Sequence, residues 1–425
     1  MNIDMDSEVE DVESFRLRAR EWLGASMPRL DEPSRQTSPS GRVRRDRDRR
    51  LQRLLWDGGF AGICFPAEYG GLGLTPDHQQ AFTEESLPYQ MPLSLNVPTL
   101  SILAATLVDF GTHAQKARHL PAILRGDELW VQFLSEPTGG SDLAGCITRA
   151  DRDGDVWVLN GSKIWSSAAM DSDYAMCLAR TNWEAPKHRG LTVFVMKIHQ
   201  PGVHVEEIRQ VDGSMEFCQE FFTDVVLPAD AVVGEVDHGW TVVSRLLLHE
   251  RTAVGGGSPY SSGRVVRPGS GASPTDLVDL AREVNQLGDP HVGQLVAEDR
   301  VLQLVSESLA SRVTSAMRAG EMVPAAGSIL KLFSATSGIR RAEIAFEIGG
   351  MDAVVWPKGS AARASSSGRA YPSRQSMSLG GGSNEIQRNI ISERVLGMPR
   401  EWAADRDVAY REVKRNVMPD MPPRG

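Results

Sequence analysis

Leu129-Trp-Val-Gln-Phe-Leu134 marks a change of period in the sequence. Before it, apolar residues recur every three or four positions. Phe15 to Leu23, Arg49 to Trp56, Asp77 to Glu85 and Ser101 to Phe110 therefore read as helices. After it the alternation is every second residue. Asp155 to Leu159 and Ser162 to Ser166 alternate on either side of Asn160-Gly161, a pair that predicts a two-residue hairpin turn. Leu191 to Ile198, Val203 to Val211 and Met215 to Val226 continue the strand character. From Gly239 the helical period returns, over Trp240 to Val254, Pro274 to Gln286, Val292 to Met317, Ser328 to Ile348 and Asn384 to Leu396. This order predicts an α+β chain. An N-terminal helical domain covers 1–128, a central antiparallel β domain 129–236, and a C-terminal helical bundle 237–425. Gly255 to Ser273 and Pro357 to Ser376 read as exposed, mobile loops. The basic stretch Ser34 to Arg50 reads as a solvated loop and helix face.

Composition sets the outer limits. The 425 residues are 41% hydrophobic and 24% charged, which suits a folded globular chain. A net charge of -9 argues against nucleic acid as a partner. No stretch reads as the roughly 18–20 apolar residues of a membrane span, so membrane insertion is not expected. The acidic start, Met1 to Glu13, has no basic flank or apolar core of a secretory signal. Cys64, Cys146, Cys177 and Cys218 lie far apart with no CxxC pair, which points to a reducing cytoplasm. No His/Glu cluster has metal spacing, so no metal is expected. Arginine makes up 39 of the 46 basic residues, a bias that fits a GC-rich genome.

Three segments carry candidate chemistry. In the helix from Trp240, residues Trp240, Val243, Leu247, Glu250 and Val254 share one face. Four are apolar and the fifth is a carboxylate. A buried carboxylate raises its pKa, which is what a general base near neutral pH needs. The alternative is an ion pair between Glu250 and Arg251 or Arg245. Leu134-Ser-Glu-Pro-Thr-Gly-Gly-Ser-Asp142 opens the β domain with small residues that allow close backbone approach to a phosphate, or simply make a tight turn. Gly380-Gly-Gly-Ser-Asn-Glu-Ile-Gln-Arg388 enters the last helix, with Ser383 or Asn384 as its cap.

Taken together and in order, these segments resemble the acyl-CoA dehydrogenase family of flavoproteins. The resemblance runs from about residue 50 to 400. It rests on Pro66-Ala-Glu-Tyr-Gly-Gly-Leu-Gly73, the Leu134–Asp142 segment and Asn160-Gly-Ser-Lys-Ile-Trp165. It continues with Phe222-Thr-Asp-Val-Val-Leu-Pro228, His249-Glu-Arg-Thr252 and Gly381-Gly-Ser-Asn-Glu-Ile-Gln-Arg388. It implies FAD between the β domain and the C-terminal helices. Ser135 and Ser167 would reach the flavin ring, Trp165 would pack on it and Ser141 would sit near the phosphates. Gly382, Ser383, Glu385 and Gln387 would hold another part of the cofactor. Many family members carry the base just before the Gly-Ser segment, where this chain has Gly381. A second branch carries it on the first helix of the C-terminal domain, at the position of Glu250. The resemblance therefore implies Glu250 as the base, with Glu385 as a fallback, and the Gly381 N–H as a donor to the thioester oxygen. The reaction implied is α,β-dehydrogenation of an acyl-CoA to the trans-2-enoyl-CoA. An electron-transferring flavoprotein would be the acceptor.

Two departures qualify this. The family's Arg-x-Gln-Phe-Gly segment is replaced by Gly255-Gly-Gly-Ser-Pro-Tyr-Ser-Ser-Gly-Arg264, and Glu347-Ile-Gly-Gly350 replaces a Gln-containing version. They fit a branch acting on bulky acyl groups, or a subunit of a hetero-oligomer rather than a homodimer or homotetramer. An oxidase or hydroxylase on the same fold is a further alternative. The pyrophosphate cation is then open among Arg264, Arg267, Arg374 and Arg388.

Overall fold

The computed structural model describes residues 9–30, 42–254, 257–264, 274–355, 357, 360, 362–403 and 405–413. Helices α1 (Val12–Ser26), α2 (Arg42–Asp57), α3 (Pro76–Glu85), α4 (Leu93–Leu95), α5 (Ala105–Phe110) and α6 (His113–Arg125) build the first layer. Their ends follow local chemistry. Asp11 caps α1 through Glu13 and Ser14 N–H, and a reciprocal Thr112–Gln115 box starts α6. Gly126, at φ 80°, stops α6 in the left-handed region.

Leu93–Phe110 corrects one expectation. Its mean hydropathy of 1.5 over 18 residues is that of a membrane span by length and composition. It lies mostly inside the protein instead, with Leu95, Leu100, Leu103 and Leu107 in the largest core cluster. Thr99, Ser101 and Thr106 within it are satisfied by carbonyls, as where Thr99 Oγ1 donates to that of Trp130 at 3.0 Å.

The basic stretch is also more deeply engaged than a solvated face. In α2, Arg45 is buried in an ion pair with Asp171, and fully buried Asp48 accepts from Ser94 N–H at 2.9 Å. The part of the stretch before Arg42 lies outside the described residues.

The central domain is one twisted sheet of β1 (Trp130–Phe133), β2 (Arg149–Asp153), β3 (Val156–Ser167), β4 (Tyr174–Arg180), β5 (Leu191–Lys197), β6 (Val203–Ile208), β7 (Phe217–Pro228) and β8 (Val232–Val233). Its order is β6-β7-β3-β2-β4-β5-β8, antiparallel except where β4 meets β1 and β2. The predicted hairpin turn at Asn160-Gly161 is not there. Both residues lie inside β3, at a bulge against β7. Asn160 spans the bulge to Asp224, accepting from its N–H at 2.9 Å and donating to its carboxylate at 3.0 Å. The β2–β3 turn falls instead at Gly154-Asp155, with Gly154 at φ 57°, between the paired Asp153 and Val156, so the Gly154-Asp155 pair was the true signal.

The last layer holds α7 (Gly239–Val254), α8 (Pro274–Glu283), α9 (Pro290–Arg318), α10 (Gly327–Val354), α11 (Arg363–Ser373) and α12 (Asn384–Ile390). Part of the expected loop at 357–376 is thus helix. Ala364, Ser365, Ser367 and Gly368 are buried, and a Cβ at Gly349 of α10 would stand 3.4 Å from Ser367 Oγ. Small side chains are the packing surface here, so an apolar count misses the helix. Residues 261–263 of the other expected loop are likewise buried, with Ser262 Oγ donating to Gln52 Oε1 at 2.7 Å. Residues 265–273 lie outside the described residues.

Helix α7 belongs to the third layer by sequence but to the first two by packing. Val242, Val243, Leu246 and Ala253 join Leu100, Leu107, Trp130 and Leu191 in one core. Each fully buried Val or Leu contributes about 1.5–3 kcal/mol, which anchors this helix and the residues it presents.

Candidate active site

Glu250 lies in the last turn of α7, partly buried on the side that carries Trp240, Val243 and Leu247. Its Oε2 accepts from Gln132 Nε2 at 2.9 Å. Strand alternation explains the partner. Val131 and Phe133 point into the sheet's own core, while Trp130, Gln132 and Leu134 face the helical layers. Gln132 is the polar member of that second set, a signal present in the sequence but not singled out.

Of the expected alternative partners, Arg251 makes no ion pair with Glu250 among the described residues, and Arg245 is elsewhere. Arg245 donates to Asp109 at 2.6 Å, and His249 joins the same carboxylate at 2.9 Å. Among the described residues no cation is within ion-pair distance of Glu250. Burial pushes its proton affinity up. The Gln132 bond and the charges of Arg251 and Lys331 oppose that and do not overcome it.

Gly381 faces the other oxygen. It has φ 69°, and a Cβ there would lie 3.5 Å from Glu250 Oε1 and 3.3 Å from Lys331 Cε. Lys331, on α10, donates from Nζ to the Met377 carbonyl at 2.7 Å. Sequence reading missed it, since a single lysine in an apolar helix carries no motif. Among the described residues the Gly381 N–H has no acceptor. Gln387 is buried and donates to the carbonyls of Gly381 and Gly382 at 3.1 and 3.2 Å. Gly382 adopts φ 87°, a left-handed value that favours glycine, and a Cβ there would meet Gln387 Nε2 at 2.6 Å. Ser383 caps α12 by accepting from Ile386 N–H. Asn384 Oδ1 and Gln387 Oε1 are buried acceptors without partners. Glu385 is exposed beside Arg388.

The β-domain candidates meet where β1 ends against β3, with Ile164 N–H donating to the Ser135 carbonyl at 2.9 Å. Trp165 sits at a β-bulge with φ 66°, a strained value for a bulky residue, and the residue is 55% exposed. Ser141 and Ser167 are exposed, and Ser167 lines a cavity of about 190 Å³ with Arg44, Thr99 and Trp130. A Cβ at Gly140 would stand 3.3 Å from Ser135 Oγ.

Beneath this rim lies a buried pair. Lys163 Nζ donates to Glu136 Oε1 at 2.9 Å and to the Leu134 carbonyl at 3.0 Å. Glu136 also accepts from Ile147 and Thr148 N–H at 2.7 and 2.8 Å. Burial alone would raise its pKa. Lys163 and these N–H groups outweigh it and hold the carboxyl at about 2. The same carboxylate helps keep Lys163 protonated despite burial. Ser166 donates to Glu220 at 3.0 Å, and burial pushes that carboxyl up to about 7.

Of the arginines left open, Arg374 donates to Glu343 and the Tyr371 carbonyl, and the Arg264 backbone N–H donates to Ser86 Oγ at 2.7 Å. Arg388 is exposed, and Arg267 lies outside the described residues.

The sequence matches three family models. "Acyl-CoA dehydrogenase, N-terminal domain" covers residues 10–127, "Acyl-CoA dehydrogenase, middle domain" 132–225 and "Acyl-CoA dehydrogenase, C-terminal domain" 237–396. The chain is 35% identical over 402 residues to the acyl-CoA dehydrogenase IpdE1 of Mycobacterium tuberculosis, covering 92% of this chain and 99% of that one. It is 30% identical to FadE29 of the same organism, covering 85% of this chain and 93% of that one. Among solved structures, the steroid ACAD Tcur3481-Tcur3483 is similar at 28% identity with a TM-score of 0.71, covering 92% of this chain and 98% of that one. The ChsE4-ChsE5 complex from Mycobacterium tuberculosis is similar at 27% identity with a TM-score of 0.68, covering 94% of this chain and 100% of that one.

Proposed function

The chain belongs to the acyl-CoA dehydrogenase family and is an oxidoreductase of that class, and we propose that Glu250 is its catalytic base in the α,β-dehydrogenation of an acyl-CoA thioester. One observation carries this. A side chain at residue 381 would start 3.5 Å from Glu250 Oε1, so the two positions that the family uses for a base converge on one point. Only Glu250 supplies a carboxylate there.

Glu250 Oε2 is tied to Gln132, which leaves Oε1 to take the α-proton. Burial strengthens it as a base. The Gly381 N–H is free to donate to the thioester oxygen and stabilise the enolate charge that develops as the proton leaves. We assign FAD as the cofactor, held by Ser135, Ser141, Trp165, Ser167, Gly382, Ser383, Glu385 and Gln387. The unpartnered acceptors Gln387 Oε1 and Asn384 Oδ1, and the space a Cβ at Gly140 would fill, support that fit. When bound, FAD would supply the acceptor for the β-hydride.

We further propose a bulky, polycyclic acyl group and a heteromeric assembly, supported by the names of the similar steroid ACAD and ChsE4-ChsE5 proteins. The missing Arg-x-Gln-Phe-Gly segment favours the same reading. A homodimer or homotetramer is the simpler assembly. An electron-transferring flavoprotein is our proposed electron acceptor, and the free cysteines fit a reducing cytoplasm. The boundaries 1–128, 129–236 and 237–425 remain our division, supported by the three matched ranges.

Anaerobic titration with a panel of acyl-CoAs, followed by flavin absorbance, tests the reading. Bleaching by one class supports it. A yellow protein that no acyl-CoA bleaches overturns it, and a protein that is colourless alone but yellow when co-expressed with a second family chain supports the heteromeric form.

A further inference from the structure

Residues 405–413 lie beyond the matched C-terminal domain, which ends at 396, and they return to the sheet. Tyr410 is 1% exposed there. Its N–H donates to the Ala185 carbonyl at 2.9 Å, and Arg411 N–H donates to that of Trp183 at 3.1 Å. The Tyr410 hydroxyl donates to the Gly145 carbonyl, and the ring lies 3.5 Å from the guanidinium carbon of fully buried Arg180. Arg180 in turn donates to the carbonyls of Ala144 at 2.6 Å, Cys146 at 3.0 Å and Lys187 at 3.1 Å.

Three consecutive carbonyls, 144 to 146, are therefore held by one stacked pair. Lys187 closes the arrangement from outside, reaching Asp142 at 3.1 Å and Asp405 at 3.0 Å. The turn being pinned is the far end of the glycine-rich segment that contains Ser141.

We propose that this C-terminal strap is a positioning device in which Tyr410, through Arg180, fixes the Gly139–Cys146 segment for a pyrophosphate-bearing ligand. The identity of that ligand as FAD rests on the function proposed above. The positioning itself does not. A desolvated aromatic–guanidinium contact is among the stronger side-chain pairs, and without it Arg180 loses its cover while the three carbonyls lose their common anchor.

The test uses the full-length chain with Tyr410→Ala and Tyr410→Phe. Amide hydrogen exchange is read by peptide, and apoprotein is titrated with FAD by flavin fluorescence. Tyr410→Ala is expected to speed exchange at 139–146 and 182–190 only, and to weaken FAD binding roughly tenfold or more. Tyr410→Phe keeps the ring over Arg180 and should stay within about fivefold of wild type. Wild-type exchange and affinity in Tyr410→Ala would overturn the proposal. So would faster exchange spread over all three layers, or a phenylalanine variant no better than alanine. If the wild type takes up no FAD either alone or co-expressed with a second family chain, the functional reading fails. The strap is then upheld by faster exchange confined to these peptides and overturned by its absence.

Discussion

Glu250→Gln changes one oxygen of the carboxylate to an amide and leaves the side-chain volume almost unaltered. Gln132 Nε2 can still donate to the remaining oxygen, as it does at 2.9 Å in the wild type. The fold has little reason to suffer, because burial already disfavours the charged form of Glu250. What disappears is the acceptor for the α-proton. A positioned general base contributes about 10²–10⁴-fold, or about 3–5 kcal/mol of barrier. We expect stopped-flow flavin bleaching to slow by at least about a hundredfold, with FAD content and Tm unchanged. The geometry allows a rescue. In Glu250→Gly with Gly381→Glu, the new side chain begins where a Cβ stands 3.5 Å from the old Oε1. Its left-handed backbone costs about 1–2 kcal/mol, so recovery should be partial, at least tenfold over Glu250→Gly alone. Bleaching by Glu250→Gln within tenfold of wild type would refute the assignment of the base.

Three more outcomes follow from the buried charges. Lys331 lowers the proton affinity of Glu250, so Lys331→Met should move the acid limb of kcat/KM to higher pH; a limb that stays put removes Lys331 from the site's electrostatics. Lys163→Met strands Glu136 and should cost about 3–5 kcal/mol in urea denaturation at pH 7. Because Glu136 titrates at about 2 instead of 4.5, its share of wild-type stability is present above 4.5 and lost as pH falls towards 2, so the two proteins should converge in acid. Glu220 is the opposite case, with its carboxyl raised to about 7 from 4.5, so stability is lost as pH rises through that window. Glu220→Gln should therefore raise Tm more at pH 8 than at pH 5, and an equal shift at both would contradict the assignment.

The order of layers was legible because period decides it: apolar spacing of three or four, then two, then three or four again. Glu250 was legible for the same reason, as a carboxylate on an apolar stripe. Failures came where one local signal had two physical uses. Asn160-Gly161 serves a bulge as well as it serves a turn, and only the register with β7 separates them. Serine and alanine over 363–373 look like a loop until α10 lies close enough to need them small. Strand alternation put Gln132 on the face towards the helical layers, but neither it nor Lys331 carries a motif, and their meeting at Glu250 is a tertiary fact.

The packing of α7 has a mechanical consequence. Glu250 rides with the first two layers, whose core holds that helix, while Gly381 and Lys331 ride with the bundle. The two halves of the proposed reaction centre thus stand on different layers of the fold. A second subunit seated on the bundle, as proposed above, would bear on the spacing between the proposed proton acceptor and oxyanion donor. On the assignment and assembly proposed above, such a centre would be set by assembly, much as a vice is set by its screw rather than by its jaws.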